Sequence, residues 1–183
     1  VHRHGMKVLV DEAHGTHFYF GDGLPPSAMS CGADMASVSV HKTGGSLTQS
    51  AILLLGKGID PNYVRQIINL TQTTSASYLL MVSLDLARQN LALHGREFYA
   101  KTVEFADYAR KEINAIGGYY AFGEELCDGK AFYAFDRTKL SVHTRAMGLA
   151  GIEVYDLLRD EYDIQIEFGD IGNILAIITG GDR

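Results

Sequence analysis

The chain has 183 residues, 46% of them hydrophobic and 21% charged, with a net charge of −6. This is ordinary globular composition, and it excludes a fibrous or low-complexity chain. No basic run is present, which argues against nucleic acid or an anionic membrane as the main partner, and no apolar run approaches the ~20 residues of a membrane-spanning helix.

Residues 6–11 read as a buried parallel strand, short, continuous and rich in branched side chains. It ends in a carboxylate, Asp11. The run Asp11-Glu12-Ala13-His14-Gly15 follows at its carboxyl end, where open α/β sheets place their ligands. His2 and His4 alternate, and His14 and His17 are spaced like ligands on one helical turn, with Asp11 and Asp22 nearby. A metal-dependent hydrolase would use such a set. The plainer reading puts His2 and His4 on the preceding segment and has His14 and His17 line a polar active-site loop, and no metal is expected. Phe18 and Phe20 read as core filling, with a pocket wall as the alternative, and residues 25–33 as a short helix stopped by Gly32.

The next stretch, Ser37-Val38-Ser39-Val40-His41-Lys42-Thr43-Gly44-Gly45-Ser46-Leu47-Thr48-Gln49-Ser50, starts as an alternating strand, with Val38 and Val40 on one face and Ser39 and His41 on the other. It breaks at Lys42 into a tight turn of small residues, and a second strand spans 51–55. Lysine seldom closes a buried strand. A desolvated lysine loses its proton more easily, and it can serve as a nucleophile or Schiff-base former.

Asp60 and Pro61 open a helix that runs to about Leu70, with Val64, Ile67 and Ile68 on its apolar side. The hydroxyl-rich loop Thr71-Gln72-Thr73-Thr74-Ser75-Ala76-Ser77 precedes another helix start. It suits a phosphate seat, or simple helix capping by Ser75 or Ser77. A buried helix, apolar all round, is expected at 78–93. A second, amphipathic helix is expected at 96–116, with Phe98, Thr102, Phe105, Ala109 and Ile113 on one stripe and Glu104, Asp107, Arg110 and Lys111 opposite. Gly117-Gly118 ends it. Beyond lie a strand at 130–136, a short helix or loop at 141–148, a helix at 154–162, and strands at 164–168 and 173–179. That pattern implies an antiparallel sheet with helices on one face.

Ser39-Val40-His41-Lys42 followed by Thr43-Gly44-Gly45-Ser46-Leu47-Thr48-Gln49-Ser50, together with Asp11, resembles the cofactor-lysine signature of the Orn/Lys/Arg decarboxylases. These are pyridoxal 5'-phosphate enzymes of the aspartate-aminotransferase-like fold. The resemblance implies an α/β fold class. Residues 1–116 would be the C-terminal part of the cofactor-binding large domain, a mostly parallel sheet with helices, and 117–183 the start of an α+β small domain. It implies that Lys42 carries the cofactor, that Asp11 pairs with the pyridine nitrogen, that Ala13 lies against the ring, and that Ser39 and His41 contact the phosphate. His41 or Lys42 would deliver the proton. Thr73 and Thr74 would reach the cofactor region of a partner subunit, in a homodimer or higher homo-oligomer.

The reaction implied is decarboxylation of arginine, lysine or ornithine to the amine and carbon dioxide. Glu12, Asp22 and Asp34 are the acidic residues available for the substrate's distal cation. An aminotransferase or a carbon–sulfur lyase on the same fold is the alternative, and a non-catalytic homologue is a further one. The family places a ring-stacking histidine and a phosphate-cupping turn upstream of Asp11, and the sequence holds neither. A piece of a longer protein, inactive by itself, is therefore expected. Cys31 and Cys127 lie far apart and form no CxxC, and no signal peptide opens the chain, so a cytoplasmic setting is expected.

Overall fold

In the computed structural model, residues 1–182 are described. The contacts separate two units, Val1–Asp22 with Pro26–Arg96, and Gly23–Pro25 with Glu97–Arg183. This division falls inside a helix, whereas the domain limit read from the glycine pair lies at that helix's end.

The first unit is built on three strands, β1 (Leu9–Asp11), β2 (Met35–Val38) and β3 (Ile52–Leu55). β1 runs parallel to β2, and β3 antiparallel to it. Their pairing puts Val10, Ala36 and Leu54 on one face and Leu9, Met35 and Leu55 on the other. Ala36 and Val38 are buried, but Leu9 is 68% exposed. The expected burial of the first strand on both faces is therefore not found, because the sheet face that carries Leu9, Asp11, Ser37 and Leu53 is open. The turn at 27–32, expected as a helix, closes without one, and Gly32 there has φ +85°.

Strand β2 ends earlier than its alternation suggests. The chain turns into one helical turn, α1 (Val40–Thr43), closed by a 2.7 Å bond from Gly44 N to Val40 O. Helix α2 (Pro61–Thr71) starts as expected, with the Asp60 carboxylate accepting from Asn62 N at 2.9 Å and Pro61 in the first position. Ile67 and Ile68 on its apolar side stay exposed.

The two helices expected at 78–93 and 96–116 are one, α3 (Tyr78–Ile116), of 39 residues. Gly95 does not break it. A Cβ there would meet Phe20 Cβ at 2.8 Å, so the glycine allows close packing against Phe20. Nor is its first part buried all round: Ala87 and Leu91 are buried, while Leu79, Val82, Leu86 and Leu93 are exposed. Farther along, Tyr99, Thr102, Val103 and Ala106 are buried, and Phe98 and Phe105 sit at the edge of the stripe.

The second unit carries a four-stranded antiparallel sheet in the order β4 (Tyr120–Phe122), β5 (Lys139–His143), β7 (Asn173–Ile177), β6 (Phe168–Gly169). Helix α4 (Gly151–Tyr162) packs on β6 and β7. Ala121, Leu140 and Val142 form the core, with Ala109 and Ile113 of α3 and Ile174 and Ala176 of β7 against them. The strand expected at 130–136 is irregular. The Asp128 carboxylate gathers the backbone N–H groups of Lys130, Ala131 and Phe132, and this local bonding replaces a ladder. Residues 139–143, read in part as helix or loop, are a strand, and the strand expected at 164–168 shrinks to β6. Arg110, expected on the solvent side, is instead inside. It donates to the carbonyls of Phe122, Arg137 and Lys139, pairs with Asp107 at 2.6 Å, and lies over the Phe135 ring.

Candidate active site

The parallel pairing sets Asp11 beside Ser37, so the carboxyl ends of β1 and β2 lie side by side. Glu12 N donates to Ser37 O at 2.9 Å and continues the pairing one step past the strand. Asp11 Oδ1 accepts from Ala13 N at 3.1 Å, which bends the chain immediately after the carboxylate. Lys42 sits on α1, the turn that follows β2, and Ser39 is that helix's N-cap.

Two contacts tie the β1 loop to the α1 turn. Thr16 Oγ1 donates to Ser39 O at 3.2 Å, and Lys42 Nζ lies 3.3 Å from His14 Nε2. Lys42 and Asp11 are both exposed in this chain, so the desolvation read from the strand pattern is not observed. The physical reason is that β2 ends at Val38, and Lys42 projects from a helical turn rather than from a buried strand end.

His41 does not share a strand face with Ser39, because the alternation stops where α1 begins. Its Nδ1 lies 2.9 Å from Ser50 O. A carbonyl only accepts, so Nδ1 carries the proton and Nε2 keeps the lone pair of the neutral ring. The turn is held by two different glycines. A Cβ on Gly44 would meet Thr16 Cγ2 at 2.7 Å and Val40 O at 2.8 Å, while Gly45 has open space around it but a φ of +84°.

The loop between β1 and β2 is anchored from inside. Glu12 is 9% exposed, and its carboxylate accepts from the Tyr19 hydroxyl at 2.6 Å and from Ala28 N at 2.8 Å. Desolvation, and then the neighbouring carboxylate, push the Tyr19 hydroxyl up to about 12. Asp34 is held by His2, Lys7 and Val8 N, and its carboxyl lies well below the usual range, chiefly through the Val8 N–H bond. Asp22 faces Arg96 at 3.5 Å. The three acids considered for a substrate's distal cation thus all have partners within the chain.

Thr73 and Thr74 lie in an exposed turn between α2 and α3, where Thr73 Oγ1 accepts from Ser75 N at 3.1 Å. The structure brings together Asp11, Ala13, Ser39 and Lys42 at two adjacent strand ends, turns His41 toward Ser50, and records no bond from Thr73 or Thr74 to that cluster. His14, read as lining a polar active-site loop, joins the cluster through Lys42, and Thr16 joins it without having been read as part of it. Their signal was position, one turn beyond a strand-end aspartate. Among the described residues, no group of three or more His, Cys, Asp or Glu side chains is placed to share a metal ion. No helix among them is long and apolar enough to cross a membrane.

Behind the site, an apolar cavity of about 190 Å³ lies between the sheet and α3, lined by Val38, Val40, Ile52, Leu54, Phe20 and Leu91 among others.

The chain is 48% identical over 182 residues to the arginine decarboxylase of Halalkalibacterium halodurans and 47% identical to that of Bacillus subtilis. Each alignment covers 99% of this chain and 37% of the relative, so the chain spans little more than a third of the length of the relatives it matches. In fold it is similar to the Francisella novicida lysine decarboxylase, with a TM-score of 0.80 at 18% identity, over 96% of this chain and 30% of that one. The family described as Orn/Lys/Arg decarboxylase, major domain, matches residues 1–183. The chain belongs to the Orn/Lys/Arg decarboxylase family, within its major domain.

Proposed function

We propose that this chain is part of a pyridoxal-phosphate-dependent decarboxylase of a basic amino acid, with arginine the first substrate to test because the similar curated relatives carry that name. The observation that carries the reading is the placement of one carboxylate and one primary amine, Asp11 at the carboxyl end of β1 and Lys42 on the helical turn that follows the adjacent parallel strand β2.

The donor set suits the cofactor. It offers an amine for a covalent bond, a carboxylate for a pyridinium nitrogen, a small residue at Ala13 and a hydroxyl at Ser39, around a turn held open by Gly44 and Gly45. Asp11, Ala13, Ser39, His41 and Lys42 would hold it, and Thr73 and Thr74 would do so from a partner subunit. When bound, the group supplies an electron sink for the pair left behind as carbon dioxide departs. Asp11 keeps a proton on the ring nitrogen through its negative charge. Lys42 binds and releases through its Nζ. His41, with Nδ1 committed to Ser50, offers Nε2 as the atom that moves a proton.

The domain division at 116/117, a homo-oligomer and a cytoplasmic setting belong to the same proposal. Ile67, Ile68, Leu70, Leu79, Val82 and Leu86 on α2 and α3 are exposed, and a second subunit would cover them. The test is an absorbance spectrum of the full-length protein with added pyridoxal phosphate, beside Lys42→Ala, followed by amine release from arginine, lysine and ornithine. A long-wavelength band lost in Lys42→Ala is expected. No band in either protein would overturn the reading.

A further inference from the structure

We propose that His14 is the positioning residue for Lys42, accepting a hydrogen bond from the lysine ammonium while its imidazole is neutral and releasing it when the imidazole is protonated. The inference rests on the reading of Lys42 as the cofactor lysine and adds the residue that aims it.

Lys42 Nζ stands 3.3 Å from His14 Nε2. An ammonium only donates, so Nε2 is the acceptor, and the neutral ring carries its proton on Nδ1. Protonation at Nε2 removes the acceptor and sets two cations against each other at that distance.

The backbone on both sides of this bond is tethered. Before His14, Glu12 is fixed by Tyr19 and Ala28, and Gly15 N donates to Glu12 O at 2.9 Å. After it, Thr16 Oγ1 bonds Ser39 O, three residues before Lys42. A Cβ on Gly15 would come within 2.3 Å of Glu12 Cγ, so the loop has no slack there. His14 is thus presented to Lys42 by a fixed loop.

The other titratable groups on the elements that meet here are Asp11 and Glu12 in the loop, His17 and Tyr19 in the turn after it, and His41 beside Lys42. The Asp11 carboxylate caps Ala13 N, Glu12 is taken up by Tyr19 and Ala28, His17 is buried, and His41 is turned to Ser50. His14 is the one with a recorded bond to Lys42 Nζ.

The test measures how fast Lys42 captures pyridoxal phosphate in the full-length protein, by borohydride trapping and peptide mass, across pH 5.5 to 8. His14→Gln keeps an acceptor but cannot titrate, and His14→Phe keeps neither property. In the unaltered protein the rate is expected to show an inflection within this pH span, set by the His14 imidazole, that neither His14 variant shows. His14→Gln is expected to retain the rate at pH 8 and lose the inflection. His14→Phe is expected to lose the inflection and to be slower by about ten-fold. An unchanged rate and inflection in His14→Phe overturn the inference while the cofactor reading stands. No adduct on Lys42 in the unaltered protein overturns that reading, and the inference with it.

Discussion

The Tyr19 hydroxyl donates a 2.6 Å hydrogen bond to the carboxylate of Glu12, a residue 9% exposed in the loop that presents Asp11 and His14. Tyr19→Phe removes the donor and leaves one carboxylate oxygen poorly solvated. A loss of about 1–3 kcal/mol is expected from denaturant unfolding at neutral pH. The pH dependence has a definite sign. The folded hydroxyl, at about 12, lies above the unfolded value near 10. Its contribution is fully present below pH 10 and is lost as pH rises toward 12. Tyr19→Phe should flatten unfolding stability in that window, and an unchanged alkaline slope would count against the bond.

Gly44 and Gly45 are adjacent but constrained differently. Gly44→Ala drives a methyl into Thr16 and the Val40 carbonyl, with an expected cost of about 1–3 kcal/mol. Gly45→Ala meets nothing and costs only the left-handed backbone, about 1–2 kcal/mol. Gly44→Ala should also slow Lys42 capture of pyridoxal phosphate, since it displaces the turn against Thr16. Equal capture rates in both variants would show that this packing does not position the lysine.

Arg110 holds the carbonyls of Phe122, Arg137 and Lys139 around one guanidinium, and Asp107 binds both Arg110 and Arg137. Lysine cannot reproduce that fork. Arg110→Lys is expected to lower stability by about 2–3 kcal/mol and to speed proteolysis within 128–138. A loop that resists protease as well as the unaltered one would refute this role.

Asp34 gathers His2, Lys7 and Val8 N at the start of β2. Its folded carboxyl lies below its ordinary value, so its contribution is present above about pH 4 and is lost as pH falls further. Asp34→Asn should be less stable at neutral pH and show a shallower acid limb. Acid unfolding curves of the two proteins check this.

Much of the fold was legible because its signals are local. The Asp60–Pro61 helix start, the 51–55 strand and the helix near 154–162 each carry their own cap or period. What failed depended on distant partners. The helices at 78–93 and 96–116 read as two, but α3 runs through the gap between them, with Gly95 packed against Phe20. Phe132, Tyr133 and Phe135 alternated like a strand, but Asp128 drew the preceding N–H groups into a turn. Arg110 read as a surface charge because nothing in its neighbourhood announces three waiting carbonyls. At the site, Asp11 and Lys42 were legible from strand-end chemistry. His14 was read as lining the site's loop, but its contact with Lys42 was not, because a 28-residue separation hides it.

The loop between β1 and β2 has no α-helix or strand, only a short 3-10 helix at Thr16–Tyr19, yet it holds Glu12, Thr16, His17 and Ser27 in its buried interior. The amides of Gly15, Phe18, Phe20, Gly21 and Ala28 are committed to carbonyls and side chains within it. The Ala28 amide, bound to the Glu12 carboxylate, should exchange with deuterium as slowly as an amide inside the sheet. A segment that looks irregular in outline would behave in exchange as part of the most protected structure in its unit.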